Sequence, residues 1–109
     1  MKTIEVNNIF SKIPKSFPKE IFNTIASSNK VKIQRIISRG HKTKDNYWYN
    51  QKQNEFVLLI EGSATLLFEN NKRTNMKKGD YIIIPKRVKH RVENTSKKGN
   101  TIWLTFFYD

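Results

Sequence analysis

From Val31 to Tyr108 the chain is a succession of short β-type runs, each closed by a turn signal. Val31–Ile37 alternates loosely at period two and is broken at Gly40. Tyr47-Trp48-Tyr49 is a β-rich aromatic patch. Glu55–Glu61 is strongly apolar and ends at Gly62, and Ala64–Phe68 ends at Asn70-Asn71-Lys72. Met76–Asp80 reads as a turn before Tyr81–Ile84, which Pro85 stops. Val88–Val92 and Thr101–Tyr108 follow, separated by a polar loop containing Gly99. Seven or eight strands with turn signals roughly every 8–12 residues predict an all-β sandwich or barrel and exclude a βαβ array.

Residues 1–30 differ and are expected to form an N-terminal extension on a barrel spanning residues 31–109, one domain in all. Ser16 can cap a short helix running through Ala26, with Pro18 in its first turn and Phe22 and Ile25 on one face. So short a helix needs to pack against the barrel. The chain has no cysteine, so disulfides, thiolate metal sites and cysteine nucleophiles are excluded. No apolar run reaches the roughly 18 residues of a membrane span, so no membrane partner is expected. The N-terminus shows no secretory pattern, and a cytoplasmic location is the default expectation.

The net charge of +12 raises the question of nucleic acid. Of the 21 basic residues, 16 are lysines scattered along the chain. The two denser segments, Lys72–Lys78 and Lys86–Arg91, lack the interleaved aromatics of a base-stacking platform. Salt-dependent adhesion to polyanions is expected, but not specific nucleic-acid recognition.

No GxSxG, glycine-rich phosphate loop or HExxH is present. The informative spacings are Glu55-x6-Gly62 and, 16 residues on, Gly79-x5-Pro85-x4-His90-x3-Asn94. With these two motifs in order the sequence resembles the cupin superfamily. The resemblance implies a double-stranded β-helix, or jelly-roll barrel, of the RmlC-like kind with a ligand pocket at one end. It also implies metal ligands, and here the sequence departs. Tyr49 and Gln51 stand where two histidines precede the glutamate, Arg87 replaces a glycine, and Phe107 stands where a last-strand histidine is expected. Glu55 and His90 keep their types, and Gln51 offers a carbonyl oxygen. Gln51, Glu55 and His90 are therefore the candidate ligands for a divalent Fe, Mn, Zn or Ni ion.

The residues support that placement independently. Gln51 and Glu55 flank a three-residue turn, which would set them opposite each other on one face of a hairpin. Period two puts Val57 and Leu59 on the face of Glu55, so that face points inward. A carboxylate buried there without a partner would take up a proton. Its partner can be a metal, a cation such as Arg35 or Arg91, or a proton shared with His90 or Tyr49. Tyr47, Tyr49, Trp103 and Phe107, with those two arginines, are the candidate pocket walls. Trp48 alternates with the two tyrosines and should face outward, where it would mark a homodimer interface.

Three functions follow. The first is a small-molecule-binding cupin, using a divalent metal and with its reaction unassigned. The second is a metal-free binding or interaction module on the same barrel. The third, motivated by charge alone, is a nucleic-acid-binding protein.

Overall fold

The computed structural model describes residues 3–109. It contains eight strands and no helix among those residues. They are β1 (Ile21–Ser27), β2 (Lys32–Ser38), β3 (Asn54–Glu61), β4 (Ser63–Phe68), β5 (Arg73–Lys77), β6 (Tyr81–Ile84), β7 (His90–Thr95) and β8 (Thr101–Tyr108). All pairings are antiparallel. One sheet has the order β1-β2-β8-β3-β6 and the other β5-β4-β7. No helix of the structure is long and apolar enough to cross a membrane.

The helix expected over residues 16–26 is absent. Ile21–Ser27 is strand β1, paired with β2 from Ile21↔Ile37 to Ser27↔Lys32 with one bulge. Ile, Phe and Thr suit an extended chain. An isolated helix of this length gains little, whereas the edge of β2 offers a full ladder of backbone partners.

The core lies between the sheets. On β3, Glu55, Val57 and Leu59 are buried and the residues between them are half-buried. Val57 and Leu59 meet Ala64 and Leu66 of β4, Met76 of β5, Ile84 of β6 and Trp103 of β8. Two glycines carry the chain between the sheets. Gly62, at φ +90°, joins β3 to β4, and a Cβ there would lie 2.7 Å from Thr101 Cα and 2.8 Å from the Asn100 carbonyl oxygen, as well as against Thr101 Oγ1. Gly79, also at φ +90°, joins β5 to β6 with open space around it. Both conformations favour glycine.

Candidate functional site

The inward face of the five-stranded sheet is set by register. Lys32, Phe107, Glu55 and Ile84 form one cross-strand row. Gln34, Thr105, Val57 and Ile82 form the next. Ile36, Trp103 and Leu59 form a third. Across from them, His90 starts β7 opposite Phe68 of β4. A cavity of about 360 Å³ opens between these walls, within the size range of small-molecule sites.

Glu55 and His90 meet inside it. Glu55 Oε1 lies 3.4 Å from His90 Nε2, and the two residues are 7% and 6% exposed. The imidazole stacks on Tyr49, with ring centroids 5.7 Å apart, and lies near Phe68 on another side. Its Nδ1 is 3.0 Å from the Val88 carbonyl oxygen. A carbonyl only accepts, so in the neutral ring Nδ1 carries the proton and Nε2 turns a lone pair toward Glu55. Glu55 Oε1 has no hydrogen-bond partner. Two lone-pair atoms facing at this distance repel unless a proton or a cation lies between them. Thr105 Oγ1, also buried and unpartnered, belongs to the same wall.

Tyr49 reaches the site differently from the expected aromatic strand. Of Tyr47-Trp48-Tyr49 only Tyr49 pairs, in an isolated bridge: its N–H donates to the His90 carbonyl (2.8 Å) and the His90 N–H donates back (3.1 Å). Burial, then Glu20, Tyr47 and Glu55 nearby, hold the Tyr49 phenol above its ordinary value. Gln51 also lines the cavity, but not as the strand partner of Glu55. Its carbonyl accepts the Arg87 N–H at 2.8 Å, while Glu55 pairs with Phe107 and Ile84. Arg87 sits at φ +68°, in the left-handed turn where the family pattern has glycine.

Three expected wall residues lie elsewhere. Arg35 alternates away from Gln34 and Ile36 onto the outer face, where its guanidinium donates to Asn23 Oδ1 and to the carbonyls of Ile9 and Ser11. Arg91 follows His90 directly and therefore points the other way, over the Trp48 ring at 5.6 Å. Trp48 itself is half-buried. Tyr47 is 51% exposed and packs edge-on against Tyr49, outside the cavity lining. Trp103 and Phe107 do line it.

The sequence reading missed Glu20, Gln34 and Thr105. Glu20 lines the cavity at the start of β1, and its Oε2 accepts from Ser38 Oγ, which in turn accepts from Trp103 Nε1 at 3.4 Å. Assigning its neighbours to a helix hid the period-two relation of Glu20 to Phe22 that puts both on the inner face. Thr105 was legible as the residue midway between Trp103 and Phe107.

Residues 37–107 match the family Cupin_2, described as a cupin domain. The chain belongs to the cupin family. A solved structure from Ralstonia eutropha JMP134, assigned provisionally as a mannose-6-phosphate isomerase, is 33% identical to this cupin, with a TM-score of 0.93 over 97% of this chain and 99% of that one. A cupin superfamily protein from Desulfitobacterium hafniense DCB-2 is 16% identical, with a TM-score of 0.73 over 88% and 83% of the two chains. An RmlC-like cupin with a double-stranded β-helix from Methanocaldococcus jannaschii is 17% identical, with a TM-score of 0.70 over 89% and 86%. No curated protein matches this cupin.

Cupins commonly bind metal, and the chemistry of this donor set accommodates an ion. A neutral imidazole whose Nδ1–H is fixed on a carbonyl is a prepared ligand. Two ligand atoms of one tetrahedral zinc, at bonds of about 2.1 Å, stand about 3.4 Å apart, which is the Glu55–His90 spacing. Among the described residues no three His, Cys, Asp or Glu side chains form a metal-holding group, and Gln51 is a further oxygen-bearing side chain in the cavity lining.

Proposed function

We propose that this cupin binds a small, hydroxylated, anionic metabolite in its barrel, with a divalent ion held by Glu55, His90 and Gln51. The observation that carries the reading is the buried pair Glu55 Oε1 and His90 Nε2, 3.4 Å apart, with no hydrogen bond to Oε1. An ion held there would supply Lewis-acid chemistry at an oxygen of the ligand. The walls supply the rest. Gln34 and Thr105 offer hydrogen bonds to hydroxyl groups, Trp103 and Phe107 offer flat apolar surface, and Lys32, with Nζ 5.8 Å from the Phe107 ring centroid, offers a cation to a phosphate or carboxylate. The name carried by the Ralstonia relative makes sugar phosphates the first compounds to try.

A second reading is a metal-free binding module, in which one proton joins Glu55 to His90. The missing third acidic, imidazole or thiolate ligand and the Phe107 side chain beside Glu55 favour it. Metal analysis of protein purified without chelator, with melting curves in added Mn, Fe, Ni and Zn, separates the two. The metal reading expects bound ion and a raised Tm, both lost in Glu55→Gln and His90→Gln. Below about a tenth of an equivalent, with no Tm response to any ion, the metal-free module stands, since a bound ion must stabilise the fold.

A further inference from the structure

The cavity holds a second carboxylate, outside the Glu55–His90 pair. Glu20, just ahead of β1, lines the wall and is half-buried. Its Oε2 accepts from the hydroxyl of Ser38, which is fully buried and in turn accepts from Trp103 Nε1. The core therefore holds this carboxylate in place. Among the described residues no lysine, arginine or histidine forms an ion pair with it, in a chain with 21 basic and 9 acidic residues. Among those residues Lys32 is the only lysine or arginine in the cavity lining. Lys32 and Ser38 are the two ends of β2, about 20 Å apart along the backbone. The Lys32 Nζ stays in its own cross-strand row, 5.8 Å from the Phe107 ring centroid. The inner face thus has a cation at one end of β2 and an acid at the other. Between them Phe22, Ile36 and Trp103 form one row by register. Phe22 is the next inward residue after Glu20, and Trp103 bonds the hydroxyl that Glu20 accepts, so both rings neighbour the acid.

We propose that Glu20, with the Phe22 and Trp103 rings, forms a subsite for a primary ammonium group, so that the metabolite bound in this cavity carries an amine as well as the phosphate or carboxylate met by Lys32; this rests on the small-molecule reading above. A carboxylate partly withdrawn from water costs free energy until a cation or a proton meets it. An ammonium supplies the charge, donates a charge-assisted hydrogen bond to the oxygen that Ser38 leaves open, and finds attractive ring faces beside it. A neutral hydroxyl supplies only the hydrogen bond. Bulk electrostatics run the other way. At a net charge of +12 the protein's overall field disfavours an extra positive charge on a ligand, so tighter binding of an amine points to a local acid.

The test is calorimetric titration of the full chain with two matched pairs of probes: glucosamine 6-phosphate against glucose 6-phosphate, and the longer 6-aminohexyl phosphate against hexyl phosphate. The amine of at least one pair should bind at least about tenfold more tightly than its partner. Glu20→Gln keeps the Ser38 bond possible and should abolish that preference, leaving the amine-free phosphates bound as before and the far-UV circular dichroism spectrum unchanged. Phe22→Leu, at a half-exposed ring, should weaken the amine alone by roughly two- to fivefold. Equal or weaker binding of both amines, or a preference that survives Glu20→Gln, overturns the ammonium subsite while the small-molecule reading stands. Failure of all four compounds to bind at about 10 mM overturns the subsite together with the anionic-ligand reading beneath it.

Discussion

Gly62 and Gly79 allow a matched comparison. Both stand at φ +90°, both belong to the motif spacings, and both join one sheet to the other. They differ in surroundings: a Cβ at Gly62 would strike the backbone of Asn100 and Thr101 at 2.8 and 2.7 Å, whereas at Gly79 nothing lies within 4 Å. Alanine at either position costs roughly 1–2 kcal/mol for the left-handed backbone. It also stiffens the unfolded chain by the same amount in both cases, so that contribution cancels in the difference. Only Gly62→Ala adds overpacking, about 1–3 kcal/mol, because backbone atoms cannot swing aside as a side-chain tip can. The expected losses are therefore about 2–5 kcal/mol for Gly62→Ala and about 1–2 kcal/mol for Gly79→Ala. Urea unfolding of both variants at one protein concentration measures the gap. A gap near 2 kcal/mol corresponds to roughly 8–16 °C in Tm for a domain this small. Equal losses, or a larger loss at Gly79, would refute the reasoning, since the backbone strain is the same at both sites.

The remaining predictions concern single buried groups. Thr105→Val removes a hydroxyl that has no partner and should raise stability by about 1 kcal/mol; a loss would show that the hydroxyl is bonded in solution. Tyr49→Phe tests the raised phenol. A group whose folded value lies above its unfolded one loses its contribution as pH rises, so wild-type stability should fall as pH passes the ordinary 10.0, and Tyr49→Phe should remove part of that fall in alkaline urea titrations. Arg35→Met should free residues 9–11 and cost about 2 kcal/mol, read as earlier urea unfolding and faster proteolysis near Ser11; an unchanged cleavage pattern would refute the anchoring role.

The strands that bury alternate residues were legible from period two alone, β3 and β8 above all. β5 was not expected, its last two residues being read as the start of the Met76–Asp80 turn, because only Met76 of its five residues is buried and one apolar position sets no period. The N-terminal segment misled because local helix signals, Ser16 and Pro18, compete with a tertiary pairing that no local pattern encodes. In the site, Glu55 and His90 met as their spacing suggested, but the hairpin opposing Gln51 to Glu55 did not form. Its place is taken by a long-range bond from Arg87 to Gln51, which a single sequence cannot show. Arg35 and Arg91 illustrate a different error. Parity already excluded them, since neither can share a face with its inward-pointing neighbour, Ile36 or His90.

Glu55 belongs to a strand flanked on both sides, with fixed partners in β8 and β6. Deleting one residue ahead of it in β3 would turn Phe56 and Leu58 into the barrel and send Glu55, Val57 and Leu59 out toward water. The frame that makes the molecule fold is the same frame that aims its carboxylate. Chemistry and architecture are thus inherited together on this strand, while Tyr49 and Gln51 approach the carboxylate from outside the named strands.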